Sequence, residues 1–134
     1  MSTDNCIFCK IVNKEIPCYQ VYEDTNFLAF LDIRPLNPGH LLLIPKKHYR
    51  WVWDIPEEYS SILNKLANQL KKVLGTDYVQ SLVIGDEVHH AHIHLIPRFP
   101  NDGHGVLVNP ANTKNISKEE MVKIAEKLNS KRFL

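Results

Sequence analysis

The stretch "VHHAHIHLIPR", over residues 88–98, constrains the fold most, because polar and apolar side chains alternate over residues 90–95. Every second position carries a histidine: His90, His92 and His94. The positions between and after them are apolar: Ala91, Ile93 and Leu95. Successive side chains of a β-strand point to opposite faces of the sheet. The alternation therefore predicts a strand that buries one face in a core and presents a row of three imidazoles on the other.

The other apolar patterns predict further short strands. The segment "QVYEDTNFLAFLDI" predicts two strands around a polar turn, and "LLLIP" predicts a continuous apolar strand that ends at Pro45. Another strand is predicted over "DYVQSLVIG", and the histidine strand is predicted to begin at Val88. Strands this short, separated by turns, are typical of an antiparallel sheet.

Helical patterns lie before, between and after the strands. The segment "CIFCKIVNKEIP" predicts a short N-terminal helix. Apolar residues then recur at spacings of three and four, with Pro56 suited to the first helical position and Gly75 to the residue past the end. Ser117 and Glu120 form a capping-box pattern that begins a C-terminal helix. The chain is therefore predicted to be α+β.

Length and charge narrow the possible functions. With 134 residues and no internal linker, we expect one domain over residues 1–134, with a core at 5–100 and a C-terminal loop and helix at 101–134. The net charge of +1 gives no reason to expect nucleic-acid binding. Since no apolar run approaches the roughly 18 residues of a membrane span, no membrane partner is expected. The N-terminus resembles no secretory leader and the cysteines number three, so we expect a cytoplasmic protein without disulfides.

Two kinds of chemistry can use a row of imidazoles. Neutral imidazole is a common metal ligand, and it can also act as a nucleophile that forms a covalent intermediate. A solvated strand face is the alternative without function. The pair Cys6 and Cys9 is a C-x-x-C motif, which is either half of a tetrahedral zinc site or a redox pair.

The segments "CIFCKIVNKEIP", "VYEDTNFLAFLDIRPLNPGHLLLIPKKH" and "HHAHIHLIPR" together resemble the histidine triad (HIT) family, in particular its bacterial zinc-containing branch. The resemblance covers most of residues 6–98. It implies the HIT-like fold, an antiparallel sheet with one long helix, a short N-terminal helix and a C-terminal helix. It also implies a homodimer.

The resemblance implies a nucleotide-binding hydrolase that cleaves at the α-phosphorus of purine nucleoside phosphoramidates or adenylylated compounds. His92 matches the nucleophile, which forms a nucleotidyl-histidine intermediate. His94 matches the histidine that binds the phosphate, and His40, in "NPGH", matches a histidine that orients its neighbours or moves protons. The alternatives are a dinucleoside polyphosphate hydrolase, a non-catalytic nucleotide- or zinc-binding interaction module, and a hydrolase that uses the triad as a catalytic metal site.

The nucleotide-binding residues also follow from the resemblance. Asp32, in "FLDI", is expected to accept hydrogen bonds from the ribose hydroxyls. The matching positions of the base pocket are apolar: Ile7, Phe8, Ile11, Phe30, Leu31, Ile33 and Leu42. Each of these would serve equally well in a hydrophobic core.

The same resemblance implies a structural zinc ion. Its four ligands would be two cysteines and two histidines: Cys6, Cys9, His48 and His90. A full shell of four protein ligands leaves no open position for catalysis. His90 would then be a zinc ligand, while His92 and His94 would be the catalytic residues of the row.

The chain departs from the family's pattern just before the triad. Asp86 and Glu87 stand where the family has polar residues that contact ribose or phosphate, and carboxylates repel a phosphate unless they meet a cation. His89 is expected on the exposed rim. For Arg98, contact with a phosphate and a solvated position remain open.

Overall fold

The computed structural model describes residues 5–129, and it contains one five-stranded antiparallel sheet and three α-helices. The helices are α1 (Ile7–Val12), α2 (Ser60–Leu74) and α3 (Lys118–Leu128). The strands are β1 (Gln20–Glu23), β2 (Phe27–Leu31), β3 (Leu41–Pro45), β4 (Val79–Leu82) and β5 (Ile93–Pro97). The strand order is β1-β2-β3-β5-β4. The predicted α+β class is confirmed.

Apolar side chains cover both faces of the sheet centre, which explains why β2 and β3 are continuously apolar in sequence. On one face, which we call the two-helix face, α2 and α3 pack against alternate strand residues: Phe27, Ala29, Leu31, Leu41, Leu43 and Leu95. On the other, the α1 face, Phe8 and Ile11 of α1 pack against the intervening residues: Leu28, Phe30, Leu42 and Ile44. His94 lies opposite Leu42 in the register of β3 and β5, so its side chain belongs to the α1 face.

The strand that carries the histidines is shorter than predicted, because it begins at Ile93 and not at Val88. Pro45 ends the neighbouring strand β3 and has no N–H to donate. Ahead of Ile93, the N–H of Ala91 donates instead to the carbonyl of Tyr49 (2.7 Å). Only His94 of the three histidines therefore lies within a strand.

Helix α2 begins at Ser60, so the prediction that Pro56 occupies its first position is wrong. The carboxylate of Glu58 accepts a hydrogen bond from the N–H of Ser61 (2.8 Å) and so satisfies a free donor at the helix start. The predicted end is confirmed, because Gly75 adopts the left-handed conformation (φ 70°) and its N–H donates to the carbonyl of Lys71 (3.0 Å). In α3, the Ser117 hydroxyl accepts from the N–H of Glu120 (3.1 Å), as the capping pattern predicts.

Two tryptophans lie on the segment that follows β3 in the chain. The rings of Trp51 and Trp53 stack with their centroids 5.3 Å apart, and Trp53 remains 69% exposed.

Within residues 5–129, no helix combines the length and apolarity that crossing a membrane requires.

Candidate active site

Three histidines and one carboxylate meet on the α1 face of the sheet. Asp32 follows β2 and His40 precedes β3, and the N–H of Asp32 donates to the carbonyl of His40 (2.9 Å). The His40 and His94 rings lie 5.2 Å apart, and the His92 and His94 rings lie 5.1 Å apart. The chain thus brings together the three predicted catalytic histidines and the predicted ribose ligand.

A backbone carbonyl fixes the proton on His92. The Nδ1 atom of His92 lies 2.7 Å from the carbonyl oxygen of His90, and since a carbonyl only accepts, Nδ1 must carry the proton. Burial lowers the pKa of His92, so the ring is neutral at pH 7 and its Nε2 atom holds a lone pair. The edge-on ring of Phe8, 5.1 Å away, limits the tilt of the imidazole. The result is an oriented neutral nucleophile.

A backbone N–H fixes the protons on His40 and His94. The N–H of Leu36 donates to Nδ1 of His40 (3.0 Å), so that nitrogen is unprotonated and the proton lies on Nε2. The Nε2–H of His40 donates in turn to Nδ1 of His94 (2.9 Å). Burial lowers the pKa of His40 to about 3 and that of His94 to about 4. A neutral His94 with an accepting Nδ1 must carry its proton on Nε2, where it can donate to a phosphate oxygen.

Asp32 is the anion of the site. Its Oδ1 atom accepts from the N–H of Arg34 (2.9 Å), and its Oδ2 atom lies 3.6 Å from Nε2 of His40. Burial raises the pKa of Asp32, although the Arg34 amide and the neighbouring histidines oppose that rise. The side chain keeps 20% of its surface exposed, so a ligand can reach it.

The predicted base-pocket residues divide into three groups. Four lie together on the α1 face: Phe8, Ile11, Phe30 and Leu42. Ile7 and Ile33 are exposed, at 42% and 74%. Leu31 packs on the two-helix face, because its side chain alternates with that of Phe30. Leu31 therefore cannot line a pocket beside the histidines, and its assignment to the base pocket is corrected.

The four predicted metal ligands converge at the start of α1, with all four ligand atoms within 4.8 Å of one another. Nδ1 of His90 lies 3.3 Å from Sγ of Cys6 and 3.5 Å from Sγ of Cys9, and Nδ1 of His48 lies 3.3 Å from Sγ of Cys9. Zinc bonds of about 2.0–2.3 Å in a tetrahedron place sulfur and nitrogen ligands roughly 3.5 Å apart. The donor set and spacing fit a tetrahedral zinc ion.

The protonation of His90 also suits a metal ligand. Its Nε2–H donates to the carbonyl of Pro45 (2.8 Å), which leaves the Nδ1 lone pair directed at the cysteines. Burial and the adjacent Cys6 thiol raise the pKa of Cys9 to about 12, so a metal that binds there must displace the thiol proton.

Two arginines, Arg34 and Arg50, contact the loop that departs from the family's pattern. Asp86 and Glu87 are both exposed, and Oε2 of Glu87 lies 3.7 Å from Nη2 of Arg34. Arg50 donates from Nη2 to the carbonyl of Gly85 (3.0 Å). Both members of the Glu87–Arg34 ion pair are exposed, so the pair contributes at most about 1 kcal/mol to the free energy of unfolding. It nevertheless directs the Glu87 carboxylate toward Arg34.

Arg98 takes neither of the positions left open by the sequence. It is buried, and its guanidinium donates to the Asp102 carboxylate (2.8 Å from Nε) and to the carbonyl of Gly105 (2.7 Å). This ion pair holds the pKa of Asp102 well below its usual range. Sequence reasoning missed its partner Asp102 as well as Asn37 and His104, because their roles depend on contacts between distant segments.

Acid should destabilise this chain partly through His40. An unfolded histidine has a pKa near 6.5, whereas burial lowers the pKa of His40 in the folded chain to about 3. Between these two pH values the unfolded chain binds a proton at His40 and the folded chain does not. Stability contributed by His40 is therefore lost as the pH falls, by on the order of 2–3 kcal/mol between pH 7 and pH 4.5. Urea unfolding at both pH values should show a smaller acid loss for His40→Gln than for wild type. An equal acid loss in both proteins would contradict the burial of a neutral His40.

Comparisons with known proteins agree with this geometry. The family model described as "HIT domain" matches residues 13–101. The chain is 45% identical over 112 residues to a protein of Borreliella burgdorferi named "Uncharacterized HIT-like protein", covering 75% of this chain and 81% of that protein. It is 36% identical over 132 residues to the "Adenosine 5'-monophosphoramidase hnt1" of Schizosaccharomyces pombe, covering 95% of this chain and 98% of that protein.

A solved structure extends the likeness to three dimensions. The crystal structure described as that of a zinc-bound histidine triad family protein from Mycobacterium smegmatis superposes with a TM-score of 0.71 at 28% sequence identity, covering 96% of this chain and 93% of that one. The matched family model spans the ribose candidate, His40 and the whole histidine row. The chain belongs to the HIT family of histidine triad proteins.

Proposed function

We propose that this protein hydrolyses purine nucleoside phosphoramidates, or related adenylylated compounds, through a nucleotide bound covalently to His92. Relatives named as adenosine 5'-monophosphoramidases support a nucleotide hydrolase. The observation that carries the proposal is the hydrogen bonding of His92 and His94, from which their tautomers follow. A lone pair on one ring and an N–H on the next, with ring centroids 5.1 Å apart, suit attack on a phosphorus and binding of its oxygen.

The first half of the reaction forms a phosphorus–nitrogen bond at His92. Its Nε2 lone pair attacks the α-phosphorus while the bond from phosphorus to the leaving nitrogen breaks, and that nitrogen takes up a proton from water and departs as the amine. The carbonyl of His90 accepts from Nδ1–H (2.7 Å) and stabilises the positive charge that develops on the ring. The N–H of His94 stabilises negative charge on the transferring phosphoryl group. In the second half, water attacks the same phosphorus, the bond from phosphorus to Nε2 of His92 breaks, and the water gives up a proton to solvent. The products are the nucleoside monophosphate and a neutral His92.

Asp32 is proposed to bind the ribose. Its carboxylate is partly exposed beside His40 and can accept from two vicinal hydroxyls, a pairing that dinucleotide-binding folds also use. The base would lie toward the apolar α1 face, against Phe8, Phe30 and Leu42. A ribonucleotide would then be held at three points, by base, sugar and phosphate.

Adenosine 5'-phosphoramidate should be hydrolysed faster than its 2',3'-dideoxy analogue by wild type, by about ten- to a hundredfold in kcat/KM. This expectation follows because a carboxylate that bound substrate shields from water, and that lacks its hydroxyl partners, forfeits roughly 1.5–3 kcal/mol of transition-state stabilisation. Asp32→Asn should remove most of the preference while keeping the ability to turn over the dideoxy analogue. The measurement is kcat/KM for both substrates with both proteins.

Two other outcomes decide between the functional classes, and a third tests the role of Asp32. Faster hydrolysis of diadenosine tetraphosphate than of the phosphoramidate would favour the dinucleoside polyphosphate hydrolase. No turnover of either substrate by wild type would favour a non-catalytic binding module. A preference for ribose that survives in Asp32→Asn would exclude Asp32 as the ribose ligand.

A structural zinc ion is the second part of the proposal. Cys6, Cys9, His48 and His90 would hold it, and the zinc-bound relative from Mycobacterium smegmatis supports the assignment. The metal would supply no step of the reaction, because four protein ligands complete its shell. It would fasten α1, and with it Phe8, beside the histidine row.

The homodimer and the cytoplasmic location stay predictions. The stacked rings of Trp51 and Trp53 are candidates for an apolar contact surface.

A further inference from the structure

The irregular loop 102–114, which we call the clamp loop, lies against the segment that precedes His40. Nε2 of His104 donates to the carbonyl of Leu36 (2.8 Å), and Nζ of Lys114 donates to the same oxygen (3.1 Å). The backbone N–H of Lys114 donates to the carbonyl of Pro35 (2.7 Å). The matched family model ends at residue 101, so the clamp loop lies outside the part of the chain that the family model describes.

One peptide group connects the clamp loop to the catalytic histidines. The carbonyl of Pro35 accepts from the Lys114 N–H, and the N–H of the same peptide group, that of Leu36, donates to Nδ1 of His40 (3.0 Å). Hydrogen bonds on the two ends of a peptide group polarise each other and strengthen together. A stronger bond from Leu36 holds the proton of His40 on Nε2, which faces His94.

The clamp loop is itself rigidly fixed. The Asp102 carboxylate accepts from Arg98 (2.8 Å), from Nδ2 of the buried Asn37 (2.8 Å) and from the N–H of His104 (3.1 Å). Nδ1 of His104 accepts from the N–H of Asn109 (2.9 Å), so the His104 proton lies on Nε2 and points at Leu36. The His104 donor that reaches Leu36 is therefore oriented by a further contact.

We propose that the clamp loop sets the tautomer of His40 and thereby aims the N–H of His94 at the substrate phosphate. His104 and Lys114 are positioning residues, because they act through the Pro35–Leu36 segment and not on the substrate. As a positioning role, this inference rests on the proposed function. Without the contacts of the clamp loop, His40 can carry its proton on Nδ1. The proton of His94 is then no longer confined to Nε2, so His94 does not always present an N–H to the phosphate.

Nitrogen NMR of the histidine rings tests the inference without any substrate. In wild type, His40 and His94 should both show a protonated Nε2 and an unprotonated Nδ1. His104→Phe and Lys114→Met should each mix the two tautomers of His40 and His94, while His104→Gln, which keeps a side-chain N–H donor, should restore the wild-type pattern. Lys127→Met, an exposed lysine of α3, is the matched control and should change nothing.

Kinetics give the second readout. His104→Phe and Lys114→Met should lower kcat about tenfold with KM within about twofold, a smaller loss than removal of an acid–base group gives. Wild-type tautomers in both folded variants, or an equal effect from Lys127→Met, would overturn the inference. If wild type hydrolyses no nucleotide, the proposed function fails, and the tautomers alone decide whether the clamp acts on His40. If His104→Phe fails to fold, Lys114→Met decides the outcome.

Discussion

His92→Ala should lower kcat for adenosine phosphoramidate by at least about a thousandfold and leave nucleotide binding within a few-fold of wild type. The variant removes the Nε2 lone pair that we propose attacks phosphorus. The base and ribose contacts remain, since Phe8 and Asp32 belong to other segments of the α1 face. The measurement is single-turnover kinetics together with the affinity for adenosine monophosphate.

His89→Ala provides the matched control, because His89 neighbours the row in sequence but is exposed. Its turnover should stay within about twofold of wild type. If His92→Ala keeps more than about a tenth of the wild-type kcat, direct attack by water replaces the covalent route in our account. A His92→Ala protein that loses nucleotide binding as well would indicate damage to the pocket.

Cys9→Ser should abolish stoichiometric zinc binding and lower the melting temperature by roughly 10 °C. Zinc that binds the folded chain with a nanomolar dissociation constant adds about 4 kcal/mol to the free energy of unfolding at micromolar free metal. Each kcal/mol corresponds to a few degrees for a domain of this size. The loss should concentrate at α1, which Cys6 and Cys9 would join to His48 and His90.

Cys18→Ser is the control for a missing thiol, because Cys18 is half-buried beside β1 and lies outside the ligand cluster. Its zinc content should equal that of wild type, with about one ion per chain by elemental analysis. The zinc assignment would be wrong if wild-type protein purified without chelators contained no zinc and gained no stability when zinc was added. An equal loss of stability in Cys18→Ser would assign the effect to the thiol and not to the metal.

The sequence predicted the α+β class because that class follows from local periodicity. The long apolar segments became β2 and β3, and Gly75 ended α2 as expected. The start of α2 was wrong because the side chain of Glu58, a residue not recognised as a cap, supplies the acceptor there.

Other features depended on contacts that no local pattern records. The row of imidazoles survives although β5 begins only at Ile93, because the carbonyls of Pro45 and His90 orient His90 and His92 ahead of the strand. Resemblance alone placed Leu31 with Phe30, yet strand alternation sends Leu31 to the two-helix face. The roles of Arg98 and Asn37 required the fold, since their partner Asp102 approaches them only after the chain has turned back.

A covalent intermediate is the central claim, and trapping it tests that claim most directly. Wild type mixed with adenosine phosphoramidate and quenched within milliseconds should carry one adenosine monophosphate unit per chain, located by peptide mass spectrometry on His92 and lost in mild acid. The adduct should be absent from His92→Ala and should form and decay at rates that account for kcat. Turnover by wild type without any adduct, or an adduct on another residue that forms at the catalytic rate, would contradict the account.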